Sequence, residues 1–208
     1  EFTHVPVLLE ECIEGLDIKP DGVYVDGTAG GAGHSSAIAA RLGENGRLIA
    51  LDRDPDAVRT ASERLSVFPN VTVIHSNYSQ MRQVLDEIGV GKVDGVLMDL
   101  GVSSYQLDEG SRGFSYHSDA PLDMRMSKEG VSAADIVNTY SESELARIIF
   151  EYGEEKFSRR IASNIIAARE KAPIETTLQL ADIIRNSVPQ KARREKNPCK
   201  KTFQAIRI

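Results

Sequence analysis

A short buried strand that runs into a glycine-rich turn is predicted by the segment Val23-Tyr24-Val25-Asp26-Gly27-Thr28-Ala29-Gly30-Gly31-Ala32-Gly33-His34. A helix is expected to begin near Ser35. Glycine is favoured where the backbone takes positive φ or approaches a ligand closely, and the N–H groups of a helix start can bind a polar or anionic ligand. The segment therefore predicts either a nucleotide-type binding loop or an ordinary turn in which the glycines only reverse the chain.

Two nucleotide-type ligands compete for this loop. A dinucleotide fingerprint requires G-x-G-x-x-G, and the nearest match starts at Gly31 but has Ser36 in its last position. The acid Asp26 at the strand end better suits S-adenosylmethionine, which has no pyrophosphate and carries an α-amino group that a carboxylate or a backbone carbonyl could hold. The second predicted strand ends at Asp52, where an acid can accept both ribose hydroxyls. We therefore favour S-adenosylmethionine and keep a nicotinamide oxidoreductase as the alternative.

Apolar runs alternate with helical patterns through residue 100, which predicts an α/β fold with a parallel sheet and helices on both faces. Strands are predicted over residues 23–26, 47–52, 71–75 and 94–99. The helices between them are expected over 35–42, from Asp54-Pro55 onward and over 78–88. Because ligands bind at the carboxyl ends of parallel strands, one cleft is expected to gather Asp26, Asp52, Tyr78 and Asp99.

The pattern changes after Ser104. Residues 105–130 are polar and lack the periodicity of a helix or a strand, and Phe114 and Tyr116 in this stretch could either stack on bases or pack inside the loop. Helices follow, with capping signals at Ser141 and Thr176. We expect a core over residues 1–104, a mostly helical insertion over 105–201 and the start of a return to the core over 202–208. Four parallel strands leave an open sheet, so the C-terminal part of the sheet is expected to be missing.

Composition restricts the environment and the partner. No apolar run approaches the roughly 18 residues of a membrane span, and Cys12 and Cys199 have neither metal-ligand nor disulfide-framework spacing. We therefore expect a cytoplasmic protein without metal or membrane. The net charge is −6, yet Lys and Arg outnumber Asp and Glu from residue 156 onward. This asymmetry indicates either a basic surface for a polyanion or a solvated helical face.

Several motifs occur in one order along the chain. They are DGTAGGAGH at 26–34, LDRDP at 51–55, DGVLMDLGVSS at 94–104, RGFS at 112–115, PLDMRM at 121–126, YGEE at 152–155 and TFQAIR at 202–207. Together they resemble the ribosomal RNA small subunit methyltransferase H family, also called MraW. The resemblance runs from His4 to Ile208, and chance could produce the glycine loop but not the whole set.

The resemblance implies a bacterial, cytoplasmic, S-adenosylmethionine-dependent enzyme that methylates N4 of a cytosine in the decoding region of 16S rRNA in the small ribosomal subunit. It also implies a class I methyltransferase fold, a Rossmann-like parallel sheet with a helical domain inserted after the fourth strand. Whether the protein forms a homodimer is left open by the sequence. The alternatives are a methyltransferase with a protein substrate and an RNA-binding module that keeps this fold without activity in truncated form.

The resemblance also implies individual site residues. Cofactor contacts are expected at Ala32, Gly33, His34, Asp52, Tyr78, Asp99 and Gln106. Cytosine N4 is a weak nucleophile because its lone pair is delocalised into the ring, so the site must orient the amine and ease the loss of a proton. Asp99 could accept from N4, and Ser103 or Ser104 could orient the base. Phosphate contacts are predicted for Lys191, Arg193, Arg194, Lys196, Lys200 and Lys201.

Overall fold

The computed structural model describes residues 6–191 and 197–208. The chain divides into two compact units, Glu1–Gly101 and Val102–Ile208. The division falls just before the boundary expected at residue 104. Residues 202–208, which we expected to begin a return to the first domain, belong to the second unit.

The first unit contains a four-stranded parallel sheet in the order β3-β2-β1-β4. Its strands are β1 (Val23–Asp26), β2 (Arg47–Asp52), β3 (Val71–His75) and β4 (Gly95–Leu97). The predicted parallel α/β class is confirmed, and β1, β2 and β3 have the predicted bounds. Strand β4 is shorter than predicted because only Gly95, Val96 and Leu97 pair with β1.

Helices precede and separate these strands. They are α1 (Leu9–Leu16), α2 (Gly33–Ala39), α3 (Pro55–Leu65) and α4 (Met81–Glu87). Helix α3 begins as predicted, since the Asp54 side chain accepts from the Asp56 N–H at 3.0 Å and Pro55 occupies the first turn. The helix predicted over 78–88 is divided: Asn77 caps a 3₁₀ turn, Tyr78–Gln80, before α4 begins. Helix α1 was not predicted.

Alternating side chains of the strands bury both faces of the sheet. Tyr24 and Leu48 pack with Ile38 of α2 on one face, whereas Val25 and Ile49 pack with Leu85 of α4 and its neighbours on the other. Because both faces are covered, the strands read as nearly continuous apolar runs. The last residues of β1, β2 and β3 are nevertheless polar, namely Asp26, Asp52 and His75.

The second unit is helical. Its helices are α5 (Ser104–Asp108), α6 (Ala133–Thr139), α7 (Glu142–Glu151), α8 (Ser158–Arg169), α9 (Thr177–Ser187) and α10 (Cys199–Arg207), with a 3₁₀ turn at Gly110–Arg112. The predicted capping boxes are present at Ser141 and Thr176. Apolar side chains of α7, α8 and α9 form the core of this unit, where Leu145, Ile161 and Leu180 are fully buried. No helix in the described part of the chain is long and apolar enough to cross a membrane.

The polar stretch over residues 105–130 is ordered by long-range contacts. Arg112 is buried, and its Nη2 donates to the carbonyls of Arg125 and Met126 at 2.9 and 3.0 Å. Phe114 is only 3% exposed. The prediction that it could stack on bases is therefore wrong, and it packs inside the protein instead. Tyr116 packs edge-on against Phe203, with ring centroids 5.3 Å apart.

Candidate functional site

The glycine loop after β1 is joined to the ends of two neighbouring strands. The Gly30 N–H donates to Asp52 Oδ2 at 2.8 Å, which connects the loop to the end of β2. The Thr28 hydroxyl accepts from the Asp99 N–H at 2.7 Å, which connects the loop to the segment after β4. The structure therefore brings Asp52 and Asp99, both predicted site residues, to the edge of the sheet at which the carboxyl ends of the strands lie.

Because Gly27 has no side chain, Tyr78 and Met98 can lie close to its backbone at the centre of this edge. A Cβ atom at this position would lie 3.2 Å from both Tyr78 Cβ and Met98 Cγ, tighter than ordinary packing. Tyr78 and Met98 nevertheless keep 41% and 50% of their surface exposed. Exposed aromatic and thioether side chains beside a polar edge can pack on the flat face of a ligand, so the Tyr78 ring is accessible for the ligand contact that the sequence predicts.

Asp26 organises the loop from inside. The residue is 1% exposed. Its Oδ1 accepts from the Thr28 N–H at 3.0 Å, and its Oδ2 accepts from the Ser35 hydroxyl at 2.7 Å. Burial raises the pKa of Asp26, while the hydrogen bonds from Ser35 and Thr28 act in the opposite direction. Since the carboxyl group is enclosed by the protein and its two oxygens accept from residues of the loop and of α2, Asp26 fixes the turn.

Among the described residues, the hydrogen-bond donors to the Asp52 carboxylate are all backbone N–H groups. Its Oδ1 accepts from the Asp54 N–H at 2.8 Å, and its Oδ2 accepts from Gly30. Burial is the main cause that raises the pKa of Asp52, and the nearby carboxylate of Asp54 adds to it. A carboxylate offers about four acceptor positions, so each oxygen of Asp52 retains capacity for another donor. A vicinal diol such as that of ribose fits this carboxylate.

The predicted loop contacts lie at the start of α2. Ala32 has a left-handed backbone, with φ 62°, and is fully buried. The His34 ring is 7% exposed, and its Nε2 lies 3.0 Å from the Val7 carbonyl. The side chains of these two residues are therefore used inside the protein. What Ala32, Gly33 and His34 can offer a ligand at this turn is mainly their backbone.

The family model described as the MraW methylase family matches residues 1–208. This chain belongs to the MraW methylase family. A relative from Lachnospira eligens named Ribosomal RNA small subunit methyltransferase H is 57% identical over 211 residues, which span 100% of this chain and 67% of the relative. A relative of the same name from Clostridium botulinum strain Kyoto is 56% identical over 209 residues, which span 100% of this chain and 68% of the relative.

A solved structure of a SAM dependent methyltransferase from Aquifex aeolicus is also similar to this MraW-family chain. It is 19% identical, the match covers 68% of this chain and 77% of that chain, and the TM-score is 0.35.

Other predicted site residues of the MraW-family chain lie in the second unit. Ser103 caps α5, where its Oγ accepts from the Gln106 N–H at 3.2 Å. The Gln106 side chain is 5% exposed, and its Oε1 accepts from the Ser103 N–H at 3.1 Å. Ser104 is the first residue of this helix. Ser103 and Gln106 thus form a capping box, a structural use of both side chains that the sequence prediction did not include.

The predicted basic residues have different environments. Lys191 and Lys200 are exposed, whereas the Lys201 ammonium donates to the Glu154 carbonyl at 2.7 Å. The predicted contacts Arg193, Arg194 and Lys196 lie outside the described residues. Within residues 6–191 and 197–208, no group of three or more His, Cys, Asp or Glu side chains could hold a metal ion.

Sequence reasoning missed two residues at the edge of the sheet, Thr28 and Arg53. Thr28 connects the glycine loop to Asp99, and Arg53 follows Asp52 and carries a buried Nε atom without a hydrogen-bond partner. Their positions next to the motif acids were visible in the sequence. Their hydrogen bonding was not, because it depends on contacts across the fold.

Proposed function

We propose that this MraW-family chain transfers a methyl group from S-adenosylmethionine to N4 of a cytosine in the decoding region of 16S rRNA. The observation that carries the proposal is the Gly30–Asp52 contact, which holds an acid with free acceptor capacity beside a glycine loop. The chain belongs to a methylase family, and its relatives are named as methyltransferases of the small-subunit ribosomal RNA. Both findings support the substrate class.

The proposed cofactor contacts follow the edge of the sheet. Asp52 accepts from the ribose hydroxyls, the exposed Tyr78 ring packs on the adenine, and the backbone of residues 32–34 approaches the methionine part. Gln106 remains a proposed contact from the second unit. When bound, S-adenosylmethionine supplies a methyl group already activated by a positively charged sulfur. The protein therefore needs to orient the acceptor rather than to activate the donor.

Asp99 is the proposed catalytic residue. Its side chain is exposed, while its backbone N–H is fixed by the Thr28 hydroxyl. A carboxylate here can accept from the N4 amine and take its proton as positive charge develops on nitrogen. Ser103 and Ser104 follow closely in the chain, and we propose that one of them orients the base.

The proposed partner is 16S rRNA in the cytoplasm. A base in a stacked helix is inaccessible, so the cytosine must be flipped or unpaired when it reacts. In the proposed division of the chain, the first unit holds the cofactor and the helical second unit contacts RNA phosphates. Lys191, Arg193, Arg194, Lys196, Lys200 and Lys201 are the proposed phosphate contacts. A homodimer is a further proposal that light scattering tests directly.

Labelled S-adenosylmethionine and 30S subunits that lack the modification test this function. We expect label in 16S rRNA and, after digestion, N4-methylcytidine identified by mass spectrometry. Asp99→Ala should abolish incorporation, and the matched control Asp86→Ala, on an exposed face of α4, should not. Label in ribosomal protein would favour the protein-substrate alternative. Cofactor and RNA binding without any methyl transfer would favour the inactive RNA-binding module.

A further inference from the structure

The chain segment that precedes α1 lies against the end of the glycine loop. A Cβ atom at Gly33 would collide with Pro6 Cγ and lie 3.2 Å from Pro6 Cδ, so the proline ring rests directly on the Gly33 backbone. The His34 ring, which is 7% exposed, donates from Nε2 to the Val7 carbonyl at 3.0 Å, since a carbonyl can only accept. Two consecutive residues of the loop thus hold two consecutive residues of this segment.

Residues 6–8, which we call the N-terminal strap, carry apolar side chains that stay exposed. Val7 and Leu8 keep 58% and 61% of their surface exposed, and Leu8 has a left-handed backbone, with φ 51°, that is unfavourable for a leucine. Exposed apolar residues are ordinary where they are scattered singly. Here two adjacent ones lie in a segment that a buried histidine fastens to the glycine loop. The strap therefore offers an apolar surface beside the backbone of residues 32–34.

The methionine part of the proposed cofactor has both polar and apolar groups. It carries an ammonium and a carboxylate at one end and a sulfonium at the other, and methylene groups connect these charged ends. The polar backbone of residues 32–34 suits the charged groups, whereas valine and leucine side chains suit the methylene groups, whose removal from water is favourable. Pro6, Val7 and Leu8 are uncharged, so the strap repels none of the three charged groups.

We propose that the N-terminal strap forms a wall of the cofactor site, in which Val7 and Leu8 pack on the methylene groups of the methionine part, and that His34 is the positioning residue that holds the strap there. This inference rests on the proposed function, since it assumes that ligand. It adds Val7 and Leu8 to the site, and it gives the His34 side chain an action through Val7 instead of a contact with the ligand. Only ligands that carry the amino-acid part should respond to the strap.

NMR of the 208-residue chain, labelled at valine and leucine methyl groups and at tyrosine rings, tests the contact directly. S-adenosylhomocysteine, which carries the amino-acid part, should shift the methyl signals of Val7 and Leu8 and give nuclear Overhauser effects between them and its methylene protons. Adenosine, which lacks that part, should shift the Tyr78 ring and neither methyl signal. Val67, which is 75% exposed and lies before β3 begins, is the reference and should not shift.

The outcomes separate the strap from the proposed function. If S-adenosylhomocysteine shifts Tyr78 and leaves Val7 and Leu8 unchanged, the proposal is overturned while the proposed function stands. A shift of both methyl signals by adenosine would place the strap at the adenosine and also overturn the proposal. If neither ligand shifts any of these signals, the proposed function itself fails, and the strap contact fails with it.

Calorimetric titration measures the part that His34 plays. We expect His34→Leu, which removes the donor to Val7, to weaken S-adenosylhomocysteine about fivefold, the loss of one hydrogen bond, and to leave the affinity for adenosine unchanged. His34→Gln should restore most of the affinity because glutamine keeps a side-chain N–H donor. The matched control His117→Leu replaces an exposed histidine of the second unit and should bind both ligands as the unsubstituted chain does.

Two results would overturn the positioning role. Equal losses for adenosine and S-adenosylhomocysteine in His34→Leu would show that the histidine only supports the fold. Unchanged affinity for S-adenosylhomocysteine in His34→Leu would show that the bond to Val7 does not matter for binding.

Discussion

The Thr28 hydroxyl should control how firmly the segment after β4 is held. Thr28→Val keeps the shape of the side chain and removes the acceptor of the Asp99 N–H, a bond of 2.7 Å. The other bond of this hydroxyl, to Asp26 Oδ1, is 3.4 Å long and contributes little. One intramolecular hydrogen bond contributes about 1 kcal/mol. Because Asp99 is exposed, water can replace the lost acceptor, and the larger penalty for a buried unpaired donor does not apply.

Amide hydrogen exchange measured by NMR tests this value residue by residue. A loss of about 1 kcal/mol lowers the protection of the Asp99 amide about fivefold, and Thr28→Ser should retain the protection because serine keeps the hydroxyl. The Gly27 amide, which donates to the Leu97 carbonyl at 2.9 Å, is an internal reference that should not change. Equal Asp99 protection in the valine and serine variants would refute the reasoning.

Three further predictions concern reactivity, backbone conformation and pH. Burial raises the pKa of Cys199 to about 11, so a thiol reagent near pH 8 should label the partly exposed Cys12 and label Cys199 only after unfolding. Gly113 and Gly130 have φ values of 70° and 79°, but only at Gly113 would a Cβ collide with backbone. In urea titrations alanine should therefore cost about 1 kcal/mol at Gly130 and at least about 2 kcal/mol more at Gly113. Because burial raises the pKa of Asp52 above its ordinary 3.8, its contribution to stability should fall as the pH rises from that value through the raised pKa. In Asp52→Asn, the unfolding free energy should therefore decrease less over the same pH range than it does in the unsubstituted chain.

The sheet could be predicted from sequence because its signals are local. Strands β1, β2 and β3 are short apolar runs that end at polar residues, and α3 begins at an Asp-Pro pair whose capping geometry involves only adjacent residues. Strand β4 was overestimated because the apolar run in its sequence continues to Met98, which does not pair with β1 and is 50% exposed. Hydrophobic pattern alone does not say where pairing with β1 ends.

The order of residues 105–130 could not be predicted because it comes from distant partners. The Leu122 N–H donates to the Glu175 carbonyl at 2.9 Å, and the Thr177 hydroxyl donates to the Ser118 carbonyl at 2.7 Å. Bonds that join residues more than 50 positions apart leave no periodic trace in either segment. The burial of Arg112 could not be predicted either. An arginine in a polar stretch is expected to be exposed, and the carbonyl partners that allow its burial are known only from the structure.

Asp26 and Asp52 show how the fold gives different roles to two acids that the sequence places alike, each at the end of a parallel strand. Asp26 accepts from the hydroxyl of the fully buried Ser35, so its charge is used to hold the turn. Asp52 is less buried and, within residues 6–191 and 197–208, accepts only from backbone N–H groups, so the loop holds its carboxylate without occupying every acceptor position. Motif spacing can identify both acids, but only burial and hydrogen bonding separate the one that builds the loop from the one that is available to a ligand.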